Sequence, residues 1–171
     1  MRRQELVVLL LLALVPGYAA SGNDAADDDS YVWGLGPALE RDLKNKTTKS
    51  GAALTVERAV VENWLEIEVG VTRLNKSGQS ETGVGVTFKK PFPLSRNAEV
   101  MIGVGPQIVR SLDAPERRTS LAIEAVLDFM FWPTESRKFG WYVEPSYSFG
   151  LGNNKGERFL GGSTGLLIRW P

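Results

Sequence analysis

A strict two-residue alternation constrains this chain more than any other feature. Between Trp64 and Leu74, the apolar Leu65, Ile67, Val69 and Val71 alternate with Glu66, Glu68, Gly70 and Thr72. Successive side chains of an extended strand point to opposite faces, while helical neighbours recur every three to four residues. The stretch therefore predicts a strand with one apolar and one polar face. Seven further segments carry the same pattern. They run over Tyr31–Leu43, Ala52–Ala59, Glu81–Lys90, Asn97–Arg110, Thr119–Met130, Phe139–Phe149 and Arg158–Trp170.

The connectors decide how these strands meet. Lys44–Gly51, Val60–Asn63, Asn75–Ser80, Pro91–Arg96, Ser111–Arg118, Phe131–Lys138 and Gly150–Glu157 are short and rich in Gly, Pro, Asn, Ser and charge. Such links join antiparallel neighbours, because a parallel crossover needs about a dozen residues. Lys89-Lys90-Pro91-Phe92-Pro93 reads as a strand end entering a tight proline-rich turn. The expected fold is all-β, an antiparallel up-and-down β-barrel of about eight strands over residues 31–171. Eight strands close a barrel that side chains can fill.

The residues before the first strand read differently. Met1-Arg2-Arg3-Gln4-Glu5 precedes an apolar run from Leu6 to Val15, then Pro16-Gly17-Tyr18-Ala19-Ala20. That order of charged, apolar and small residues is a secretory signal peptide over 1–20, cut near Ala19 or Ala20. The apolar run has about ten residues, against the roughly 20 of a membrane-spanning helix. Residues 21–30 end in Asp27-Asp28-Asp29-Ser30 and read as a flexible acidic lead-in. No later stretch suits a spanning helix, so entry into a membrane would require closed strands.

Composition narrows the chemistry. The chain has no cysteine and no histidine, and 20 basic residues balance 20 acidic ones. Disulfides, thiol chemistry and imidazole bases are excluded, and no nucleic-acid footprint is visible. Ser146 and Ser148 lie near Glu144, but serine nucleophiles need a base. Gly150-Leu151-Gly152-Asn153-Asn154-Lys155-Gly156 lacks the following helix that a phosphate loop requires and reads as a hairpin loop. Asn45-Lys46-Thr47 and Asn75-Lys76-Ser77 read as ordinary loop residues. No catalytic residue, cofactor or metal site is expected.

Alternation alone does not say which face points outward. A soluble periplasmic lipocalin-like barrel would put the apolar face inside, around an apolar ligand; a membrane barrel puts it toward lipid. The aromatic residues favour lipid. In an eight-strand meander, Trp33, Trp64, Phe92, Trp132, Trp141 and Trp170 all fall at the end that holds the first and last strand termini. Such a girdle suits a membrane interface. The opposite face then lines a narrow lumen. It carries Glu57, with a charge cluster of Glu66, Glu68, Glu99, Glu124, Asp128, Glu144, Lys89 and Arg169. Glu124, Asp128 and Glu144 are expected to pair with Arg169 rather than hold a cation.

Several stretches carry a family likeness. Phe88-Lys89-Lys90-Pro91-Phe92, Gly103-Val104-Gly105-Pro106, Glu124–Pro133, Phe139–Tyr147 and Gly165-Leu166-Leu167-Ile168 resemble an uncharacterised family of exported bacterial proteins. That family looks like small eight-stranded outer-membrane barrels. The resemblance implies fold and an outer-membrane location (the periplasm being the alternative) and carries over no catalytic residue. Outer-membrane barrels usually finish on an aromatic residue; here Trp170 stands one place before Pro171. The reading is a monomeric outer-membrane protein of structural or narrow-channel type, partnered by outer-membrane lipid.

Overall fold

The computed structural model describes residues 30–76, 79–111, 118–152 and 155–170. The expected signal peptide and nearly all of the acidic lead-in lie outside them. Eight strands follow in order: β1 Tyr31–Asp42, β2 Thr47–Val61, β3 Leu65–Lys76, β4 Gln79–Ser95, β5 Ala98–Ser111, β6 Thr119–Phe131, β7 Phe139–Leu151 and β8 Arg158–Trp170. Each pairs antiparallel with the next, and β8 returns to β1, with Tyr31 opposite Trp170. Closure leaves no sheet edge, so every strand has a neighbouring strand on both sides along most of its length.

The register staggers the strands. A row of paired residues starting at Tyr31 passes Arg58, Ile67, Phe88, Val104, Ala125, Tyr147 and Leu160, and rejoins β1 at Arg41. Such a shear tilts the strands against the barrel axis. The end that holds Tyr31 and Trp170 is the terminal end below; the other is the loop end.

The apolar parity faces out on every strand. Leu35, Ile102, Val104, Leu160 and Leu166 are exposed, Leu166 by 67%. An apolar interior for a soluble lipocalin-like barrel is thereby corrected: the inward parity is mostly Gly, Ala, Ser, Thr and charge, and its large apolar residues gather mainly toward the terminal end. Trp33, Trp64, Phe92, Trp141 and Trp170 stand exposed on the outside toward the terminal end. Trp141 stacks on Phe131 at 4.1 Å between ring centroids.

Trp132 departs from the expected girdle. It is 1% exposed, and its backbone N–H donates to the Asn97 carbonyl at 2.8 Å. The reason is parity: Trp132 continues the inward series Val126, Asp128, Met130 of β6. Gly140 leaves the space, because a Cβ there would stand 2.8 Å from the indole ring.

Two connectors also differ from expectation. Pro91–Arg96 is strand for most of its length: Pro91 pairs with Met101, Phe92 with Val100 and Pro93 with Glu99. The ladder of β3 on β4 ends at Glu66–Lys89, so both prolines have a neighbour on one side only, where a missing N–H is tolerated. The turn itself shrinks to Arg96-Asn97. Similarly β2 starts at Thr47, inside the expected connector Lys44–Gly51. Residues near a mouth look like a loop in sequence yet extend a ladder on one side: Pro91 and Pro93 with β5, Thr47 and Lys49 with β1.

Candidate functional site: an ion cluster inside the lumen

Lys89 lies on the inward parity of β4 and is 0% exposed. Its stem needs room to cross the lumen, and the neighbouring strand provides it. Gly103 faces Lys89 across the β4–β5 ladder. A Cβ at Gly103 would lie 2.8 Å from the Lys89 Cγ and 2.9 Å from a Val126 methyl. With hydrogen there instead, the ammonium reaches carboxylates on four other strands.

Three of these contacts are hydrogen bonds. Lys89 Nζ donates to Glu144 Oε2 at 2.7 Å, to Glu68 Oε2 at 2.8 Å and to Asp128 Oδ2 at 2.8 Å. An ammonium has three donors, and all three are used. Glu57 Oε2 stands 3.0 Å away as a fourth ionic contact without a hydrogen bond. The second oxygen of Asp128 is also buried without a partner. Burying an ammonium is costly unless it is paired and its donors are satisfied; here both conditions hold.

The site's carboxylates invite a metal reading. Oxygens of Glu57, Glu68 and Asp128 lie within 4.8 Å of one another. Lys89 contacts all three, so the protein's own cation occupies the position a metal ion would take.

The expected cluster is thus only partly assembled. Lys89, Glu68, Asp128 and Glu144 meet, joined by Glu57. Asp128 and Glu144 contact Lys89 rather than Arg169, as the expected pairing is corrected. Glu124 lies further toward the loop end and accepts a 3.5 Å hydrogen bond from Ser148. Glu66 and Glu99 face inward nearer the terminal end. The Arg169 guanidinium sits over the Trp132 ring at 4.9 Å. Parity would have brought Glu57 into the group; only the closed register identifies Lys89 as its centre.

A second ion group was hidden in a misread connector. Lys49 pairs with Glu40, at 3.4 Å, and with Glu81 near the loop mouth. Extending the β2 alternation back to Thr47 places Lys49 inward, which is the signal that would have found it.

Apolar packing seals the other side of the Lys89 cluster. Val32, Met101, Met130, Trp132, Tyr142 and Leu167 form one buried group at the terminal end. Toward the loop end the lumen opens instead. A cavity of about 60 Å³ is bordered by Glu68, Glu124 and Glu144, and one of about 250 Å³ by Lys49, Glu81 and Arg118. Both cavities share Glu40 and Gln107. The lumen is a polar vestibule with a closed floor.

No protein-family model matches the chain, and no curated protein matches it. Solved structures do. Neisserial surface protein A is similar with a TM-score of 0.67 at 14% identity, over 86% of this chain and all of that one. Ail, the attachment invasion locus protein of Yersinia pestis, gives 0.58 at 14% identity, over 82% of this chain and 98% of that one. The N-terminal β-barrel domain of Pseudomonas aeruginosa OprF gives 0.56 at 11% identity, over 82% and 96%. The chain shares the fold of these small eight-stranded barrels.

Proposed function

We propose that the chain is a structural barrel of the bacterial outer membrane whose lumen does not conduct. The carrying observation is the inversion of polarity: an apolar exterior surrounds a fully buried ion cluster. An exposed apolar surface of this extent is unfavourable in water and favourable in lipid. The aromatic residues at the terminal end supply one interface. Small barrels of like fold support the same reading.

The narrow-channel alternative loses ground to the closed floor. Ions entering from the loop mouth meet Lys89 and its four carboxylates, then the packed Met101, Met130, Trp132 and Tyr142. No catalytic step belongs to this reading, which treats the ion cluster as an internal brace. Cell fractionation tests the location. The protein is expected in the outer-membrane fraction, released by detergent and heat-modifiable on gels; recovery in periplasmic fluid without detergent would overturn the reading.

A further inference from the structure

Charge on the strands is sorted by face. Every Asp and Glu of the eight strands has inward parity: Glu40 and Asp42 on β1 are followed by acids on six of the other seven strands, with β8 carrying none. The outward parity carries cations only. Two stand toward the terminal end and are engaged with aromatic rings. Arg58 lies over Tyr31 at 5.0 Å, and Lys90 lies over Trp64 at 5.8 Å. The other four are all arginine, namely Arg41, Arg73, Arg110 and Arg158, and all stand toward the loop end.

Their placement follows one rule. On β1 the outward row runs Tyr31, Trp33, Leu35, Pro37, Leu39 and then Arg41. On β3 it runs Leu65, Ile67, Val69, Val71 and then Arg73. On β5, Arg110 follows Ile108, and on β8, Arg158 precedes Leu160. Arg73 and Arg110 share one lateral row through Thr82. With a strand rise of ~3.3 Å and a tilt of ~40°, Arg41 stands about 20 Å above Trp33 along the barrel axis. That is close to the height of the lipid-facing band of a membrane barrel. Among the described residues, none of these four guanidinium groups has an ion pair.

We infer that Arg41, Arg73, Arg110 and Arg158 form a collar that binds the phosphate groups of lipids in the leaflet at the loop end. The inference rests on the membrane reading above and adds the leaflet and the headgroup chemistry. Guanidinium is suited to phosphate because its planar fork donates two parallel hydrogen bonds, and it desolvates more readily than ammonium. The absence of outward acids on the strands leaves nothing there to repel an anionic headgroup. The terminal-end cations differ, since their rings and a carbonyl already hold them: Lys90 Nζ donates to the Asn63 carbonyl at 2.8 Å.

The test uses the full barrel in nanodiscs that contain equimolar phosphatidylcholine, phosphatidic acid and oleate. Lipids retained after gentle extraction are counted by native mass spectrometry. Wild type is expected to keep phosphatidic acid over phosphatidylcholine, by about fivefold for each arginine in contact. R41Q/R158Q and R73Q/R110Q are each expected to lose part of that preference, and R58Q/K90Q to retain it. Arg→Lys at all four positions keeps charge and is expected to fall between. Equal retention of the three lipids by wild type overturns the collar. So does a preference that survives in both collar variants, or oleate retained as well as phosphatidic acid. Failure to insert into pure phosphatidylcholine would instead count against the membrane reading itself, so the two failures are distinguishable.

Discussion

At the scale of single residues, Lys89 is the position on which the interior depends. It is surrounded by Glu57, Glu68, Asp128 and Glu144, and removing it leaves four carboxylates facing one another. Breaking a buried ion group by deleting one partner costs about 3–5 kcal/mol, more than the group contributes relative to an apolar replacement. Lys89→Met is therefore expected to lower unfolding stability by that amount, read as the urea midpoint of the barrel refolded in lipid. An unchanged midpoint would mean the cluster is not a brace. Gly103→Val tests the same site by shape. A larger group there collides with the Lys89 stem and with Thr87 and Val126, and overpacking of this kind costs about 1–3 kcal/mol. The loss is expected to shrink in a Lys89→Ala background, where the stem is gone; equal loss in both backgrounds would show that Lys89 is not what Gly103 accommodates. The inward face was readable from parity, as Glu57 illustrates; the same parity, carried past β6, places Trp132 inside and not in the expected girdle. Partner identity was not readable in this way. Nothing in the local pattern joins Lys89 to Asp128, 39 positions away; the closed register alone places them across a narrow lumen.

At the scale of elements, the strands were legible and their ends were not. Arg158–Trp170 is found with the bounds the alternation gives, because outward Leu160, Leu166, Ile168 and Trp170 mark both of its halves. β2 and β4 are longer than their apolar patterns. Their ends reach a mouth, where Thr47, Lys49, Pro91 and Pro93 satisfy the strand without needing an apolar face. The prolines of β4 make the distinction measurable. They are tolerated because β3 has already ended beside Lys89. Val84 differs, since it pairs with Val71 on β3 and with Ile108 on β5. Val84→Pro is expected to cost about 3 kcal/mol or more by removing an N–H from a two-sided ladder. Pro91→Val is expected to change stability by less than about 1 kcal/mol. The comparison is read as urea midpoints of the two variants, and similar losses would contradict the one-sided pairing of Pro91.

At the scale of the whole molecule, closure converts two ambiguous faces into an inside and an outside. The alternation in the sequence is compatible with either assignment. What breaks the tie is the closed structure itself: Leu35, Ile102, Val104, Leu160 and Leu166 stand exposed outside, while Gly34, Gly103 and the buried ion cluster around Lys89 lie within. The proposed non-conducting lumen rests on two barriers of different chemistry in series. A permeating ion would have to displace the buried Lys89 contacts and then cross the packed floor formed by Val32, Met101, Met130, Trp132, Tyr142 and Leu167. Wild type is accordingly expected to show no ohmic conductance in planar bilayers. Trp132→Ala removes the largest floor side chain but leaves the ion cluster, and Lys89→Met does the reverse; each alone is expected to stay closed. Only the combination opens both barriers, and stepwise currents are expected there if the double variant still refolds, as judged by its heat-modifiable gel shift. Conductance in wild type, or in Lys89→Met alone, would show that the floor does not seal and would restore the channel reading.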